Sequence, residues 1–168
     1  MTRHHHSTWQ EGMDAGIIGG LVVAVWFLFL DLIAGRPFMT PSVLGQIVLF
    51  GEAEPQLTPP VFGAILLYTV VHFVLFSLLG MVVAKLVHLA VSSPFWRYGL
   101  LALFVVFEFS FYSLMFLLFA ATREIFPFWS VLTANTLAAI AMGVYFWRTH
   151  PALRRSLDQV PLGAAPPR

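Results

Sequence analysis

The sequence predicts an all-α transmembrane bundle of four helices with a short interfacial helix in the first loop. Three observations carry this. Four apolar runs, at about 15–35, 61–90, 98–122 and 128–147, are each at least 20 residues long. That is the helix length that crosses a hydrocarbon core of about 30 Å at about 1.5 Å per residue. Hydrophobic residues make up 59% of the 168 and charged ones only 10%, against about 25% charged in soluble domains. A soluble fold of this size could not bury that much apolar surface, so lipid is the expected solvent. Finally, the basic residues are asymmetric. With four spans both termini share a side, which collects Arg3, Lys85, Arg97, Arg148, Arg154, Arg155 and Arg168, seven of the nine. The positive-inside bias then places a multi-pass protein in a bacterial inner membrane with both termini cytoplasmic.

Residues 1–14 read as a cytoplasmic leader. Glu11 and Asp14 next to the first span weaken a positive n-region, and the apolar run is about twice the length of a signal core, so a retained helix is expected. His4, His5 and His6 form a tract too short to indicate metal binding. In the first span Gly16, Gly20 and Ala24 recur every four residues and share a face, with Asp31 seven residues further on. Small residues in this pattern let another helix approach closely. The connection to the second span contains Thr40–Pro41, an N-cap with proline at the first helical position. Val43, Leu44, Ile47 and Val48 form one stripe, and Gly51 can stop the turn. A helix over about 41–50 follows. It is too short to span, and lies in the interface or tucked over the bundle mouth.

The second span exceeds what a membrane needs, so Lys85 and His88 extend toward headgroups. Ser92 or Ser93 with Pro94 starts the third span, and Trp96, Arg97 and Tyr98 form an interfacial anchor. Pro127 separates the third span from the fourth, which closes on Tyr145, Phe146, Trp147 and Arg148. Residues 148–168 form a tail, basic and then disordered. Arg148, Arg154 and Arg155 suit anionic lipid headgroups or a cytoplasmic partner.

Only Asp31, His72, Glu108 and Asn135 interrupt the runs with strongly polar groups. An ionisable group at mid-bilayer costs on the order of 2.5–3.5 kcal/mol, so each is expected to face protein and hold a partner. Counted from the helix ends, His72 and Glu108 fall near the midplane, where a hydrogen bond would satisfy both and Tyr112 could join. Asp31 and Asn135 lie nearer the outer surface with Arg123, suggesting an outer clasp. Two readings compete: a proton or cation path, or a cofactor contact, against interhelical hydrogen bonds of about 1 kcal/mol each.

The exclusions are sharper. There are no cysteines, so disulfides, thiolate metal sites and cysteine nucleophiles are ruled out. A haem clamp wants two axial histidines at depth, and His72 is alone there; a haem, chlorin or quinone contact stays open, with His72 the candidate ligand. Paired Glu-x-x-His motifs for a di-iron site are absent, and His72, Glu108 and Asp31 span two depths, which argues against zinc. No metal site is expected. No hydrolase elbow, His-Glu-x-x-His motif or phosphate loop is present, and no basic domain supports nucleic-acid binding.

The segments LYTVVHFVLFSLLG (Leu67–Gly80) and AMGVYFWRTHPALR (Ala141–Arg154) resemble parts of small four-helix bacterial membrane proteins with no assigned activity. The resemblance implies no mechanism and lends no functional residue. The reading that follows is a non-catalytic accessory subunit of a larger membrane complex, respiratory or photosynthetic, with lipid and other membrane subunits as partners. The alternative is a small proton- or cation-linked transporter or channel using His72, Glu108 and Asp31.

Overall fold

The computed structural model describes residues 8–93, 95–118 and 125–151. Among them are five helices: α1 (Thr8–Ile33), α2 (Met39–Phe50), α3 (Phe62–Ser92), α4 (Phe95–Leu118) and α5 (Phe128–Thr149). There is no strand among the described residues. Three helices, α1, α3 and α5, are long and apolar enough to cross a membrane. The third apolar run becomes α4, whose described apolar stretch, Tyr98–Ser110, is shorter.

Helix α1 starts about two turns before its apolar run. Glu11 in its first turn complements the positive end of the helix dipole. Gly12 is buried against α3, where a Cβ would lie 2.5 Å from Met81 Cα. Residues 8–14 of the expected leader are therefore helical, with Gly12 packed against α3 and Trp9, Met13 and Asp14 exposed.

Helix α1 is the centre of the fold, antiparallel to α3 on one side and to α5 on the other. Along α3 the contacts run Gly12 to Met81, Gly16 to Ser77 and Gly20 to Phe73. Along α5, Gly19 meets Met142, and Trp26 Nε1 donates to the Ser130 carbonyl at 3.0 Å. The α1–α3 seam is backbone against backbone. A Cβ on Gly80 would sit 2.1 Å from the Gly12 carbonyl oxygen and 2.6 Å from Gly16 N. Dispersion and Cα–H contacts across such a seam replace the hydrophobic force that lipid removes. Of the expected packing set, Gly16 and Gly20 lie in the seam, whereas Ala24 is exposed and lines a groove beside it. The reason is helical drift. Each four-residue step turns a helix about 40° beyond a full circle, so the stripe that starts at Gly12 has left the seam by Ala24.

Helix α2 is tucked over the Ile33 end of α1, with eight of its residues buried, from Met39 to Ile47. Val43, Leu44 and Ile47 pack with Phe126 and Val131, and Phe27, Tyr68 and Tyr112 close around them. At Gly45 a Cβ would come 2.4 Å from the Ala64 carbonyl, so α2 rests directly on the α3 backbone. Its polar side chains, Ser42 and Gln46, find partners inside the protein (below), which lets both faces of the helix be covered.

Helix α4 follows α3 through a short turn at Ser93 and joins the core near the Thr8 end, where Leu100 packs beside Val87, Ala84 and Phe146. Further along, a cavity of about 340 Å³ opens between α3, α4 and α5, lined by Phe76, Val83, Phe104, Phe107, Asn135 and Met142 among others. The opposite face of α4, with Leu101, Val105, Val106 and Phe109, is exposed and largely apolar, with Ser110 exposed beside them.

Candidate functional site

Asp31 is 2% exposed, and its carboxylate is fully engaged. Thr40 N donates to Oδ2 at 2.8 Å, and Thr40 Oγ1 donates to Oδ1 at 2.8 Å. The chain reverses after α1 through Gly35 and Phe38, both left-handed with φ of 68° and 62°. This swings the start of α2 onto the end of α1. Phe38 occupies the N-cap position without a side-chain cap bond, so Asp31 supplies the missing acceptor from a neighbouring helix. A carboxylate at a helix N-terminus gains from the exposed N–H groups and the dipole together. The expected outer clasp of Asp31 with Asn135 is thus replaced by Asp31 with Thr40. Arg123, its other expected partner, lies outside the described residues.

His72 is half-buried and reaches back to α1, with Nε2 3.0 Å from the Gly20 carbonyl. A carbonyl only accepts, so Nε2 carries the proton. Gly20 has no side chain to shield that oxygen. The imidazole is enclosed by the rings of Tyr68, Phe73 and Phe76, with centroids 5.8, 5.4 and 4.7 Å away. His72 and Asp31 line one groove of about 210 Å³ between α1, α2 and α3. Haem or chlorin ligation at Nε2 would require breaking the bond to Gly20.

Glu108 is 8% exposed, and the expected hydrogen bond to His72 is not formed. The imidazole nitrogen is committed to Gly20, and neither Glu108 carboxylate oxygen has a hydrogen-bond partner among the described residues. Asn135 of α5 faces Glu108, yet its buried Nδ2 also lacks a hydrogen bond of normal geometry among the described residues. Tyr112, one turn along α4, donates its hydroxyl to the Phe128 carbonyl and so closes the Glu108–Asn135 pocket from the α2 side. The four polar interruptions therefore sort differently from their expected layers: Asp31 pairs with Thr40 and His72 with the Gly20 carbonyl, while Glu108 and Asn135 face each other across α4 and α5. Asn135 also lines the 340 Å³ cavity, as its one strongly polar wall residue among the described residues.

Two further constellations lie outside the expected set. Ser42 and Gln46 on α2, both buried, organise the loop that follows. Gln46 Nε2 donates to the Gln56 carbonyl at 3.0 Å, its Oε1 accepts from Gln56 N at 2.8 Å, and Ser42 Oγ accepts from Val61 N at 2.9 Å. At the opposite end, Glu11, His88 and His150 bring one donor atom each within 4.8 Å of one another. Depth counting places all three residues at the same end of their helices. They belong to three different segments, however, and only the packing of α3 and α5 on either side of α1 brings them together. Arg148 is exposed in the last turn of α5; Arg154 and Arg155 lie outside the described residues.

No family model, curated protein or solved structure matches this chain.

Proposed function

We propose that the protein is a multi-pass membrane protein with α4 as its fourth span, serving as a non-catalytic subunit of a larger membrane assembly. The observation that carries this reading is the cleft between α3, α4 and α5, whose apolar wall is interrupted by Asn135, the residue that faces the buried Glu108. A partner segment that enters the cleft would cover this apolar wall and meet the Asn135 amide. The largely apolar outer face of α4 fits lipid or a neighbouring subunit equally well. The basic residues grouped at the Thr8 end favour placing both termini in the cytoplasm.

The transport alternative draws less support. A proton path needs titratable groups in a relay, and here His72 is bonded to a backbone carbonyl and Asp31 to Thr40. The test is extraction from native membranes in a mild detergent followed by native mass measurement. The expected result is a complex with at least one other membrane polypeptide, lost on Glu108→Leu. A chain that runs alone at full stability would overturn the reading.

A further inference from the structure

Glu11 enters from the first turn of α1, His88 from the last turn of α3, and His150 from the C-cap of α5. Glu11 Oε2 lies 3.6 Å from His88 Nε2 and 3.3 Å from His150 Nε2. The His88 and His150 rings meet edge-on, with centroids 4.9 Å apart.

The surroundings assign the protons. His88 Nδ1 is 2.8 Å from the Ala84 carbonyl, which only accepts, so Nδ1 carries hydrogen. Thr149 Oγ1 donates its one hydrogen to the Tyr145 carbonyl at 3.0 Å, so at 3.0 Å from His150 Nδ1 it accepts. In both neutral rings Nε2 is therefore a lone pair aimed at the Glu11 carboxylate. Neither contact has hydrogen-bond geometry, and Glu11 Oε2 is buried with no hydrogen-bond partner among the described residues. With both rings neutral, three electron-pair donors face one another, an arrangement that is relieved by a metal ion between them or by a proton on an imidazole.

We propose that Glu11, His88 and His150 form a binding site for a divalent first-row transition metal of the zinc class. Ligands about 2.0–2.2 Å from a tetrahedral ion lie about 3.3–3.6 Å from each other, which spans the two distances from Glu11; the donor atoms of His88 and His150 lie within 4.8 Å of each other. The donor set agrees as well. Two imidazoles and a carboxylate suit zinc and its neighbours, whereas calcium and magnesium prefer oxygen alone. Each histidine also has the outer hydrogen bond that ligating imidazoles require, to Ala84 and to Thr149. Three protein ligands leave one position for water, and the half-exposed His88 side chain, at 43%, provides the entry path. Such an ion would pin α1, α3 and α5 together at the end opposite α2.

The test uses the full chain with His4, His5 and His6 replaced by alanine and no polyhistidine tag, purified in detergent, with Zn²⁺ and Co²⁺ as probes. One Zn²⁺ per chain should survive dialysis, and Co²⁺ should give the intense visible bands of a four-coordinate ion. His88→Ala, His150→Ala and Glu11→Gln should each weaken Zn²⁺ by about 100-fold or more, and Thr149→Val by about tenfold, given that outer-shell losses alone cost 10–100-fold. Zinc binding unchanged in the His88→Ala, His150→Ala double variant would overturn the site, as would no retained zinc in the parent. Zinc-edge X-ray absorption of the parent needs no ligand variant: a shell with two imidazoles supports the site, and a water-only shell refutes it.

Discussion

Replacing Gly80 by alanine should drive α1 and α3 apart. The added Cβ would lie 2.1 Å from the Gly12 carbonyl oxygen, about 1.3 Å short of the 3.4 Å at which ordinary contact begins. Both partners are backbone, so no rotamer change can absorb the clash. A gap of 0.5–1 Å already forfeits about a quarter to a half of each dispersion contact along the seam. A rigid widening of this size would also carry the 3.0 Å His72–Gly20 bond beyond hydrogen-bond reach, about 3.5 Å. Overpacking costs about 1–3 kcal/mol and the lost bond about 1 kcal/mol, while alanine's better helix propensity returns up to about 1 kcal/mol. The net expectation is a loss of about 1–3 kcal/mol. Gly143 on α5 is the control, because a Cβ added there would meet nothing within 4 Å, and Gly143→Ala should be neutral or slightly stabilising. Equilibrium unfolding in mixed micelles, followed by circular dichroism and tryptophan fluorescence, measures both. Equal stability of the two variants would refute the backbone seam.

Asp31→Ala leaves two buried Thr40 donors unpaired and should cost about 2–4 kcal/mol, with Thr40→Val costing about half as much; hydrogen exchange over 39–50 should accelerate in both, and unchanged protection would mean α2 is capped some other way. Gln46→Leu removes both bonds to Gln56, so limited proteolysis within 51–61 should speed up while the helices stay folded. Glu108→Leu should leave the isolated chain about as stable as before, because a buried carboxyl is replaced by an apolar group while the facing Asn135 amide loses its neighbour. An unfolded Glu108→Leu chain would show that the Glu108–Asn135 contact holds α4 to α5.

Much of the fold could be read from spacing. Run length marked the long helices, and the four-residue repeat of Gly16 and Gly20 marked the side of α1 that packs. Gly12 and Gly80 were harder to find: Gly12 precedes the apolar run, and Gly80 matters only through what lies across from it. Asp31 and His72 stood out as polar groups needing partners, yet their partners could not be inferred from composition. Asp31 meets Thr40 because two left-handed residues, Gly35 and Phe38, fold α2 back, and phenylalanine rarely takes that conformation. His72 meets a carbonyl, and a backbone acceptor leaves no trace in the pattern of side chains. The assumption that sequential helices pair their midplane polar groups failed for the same reason: the bare Gly20 backbone offered His72 a sufficient acceptor. The burial of α2 depends on Ser42 and Gln46 being satisfied internally, which requires the loop through Gln56 to return over them. Glu11, His88 and His150 were each legible as residues near one membrane face, but not as a group.

The central claim is that the cleft between α3, α4 and α5 is completed by another membrane polypeptide. Photo-crosslinking in intact native membranes tests it most directly, with a photoreactive residue placed at Ala139 inside the cleft and, for comparison, at Leu21 on the exposed face of α1. A discrete protein adduct is expected from Ala139, lost with Glu108→Leu, and only lipid adducts from Leu21. Lipid adducts alone from both positions would contradict it.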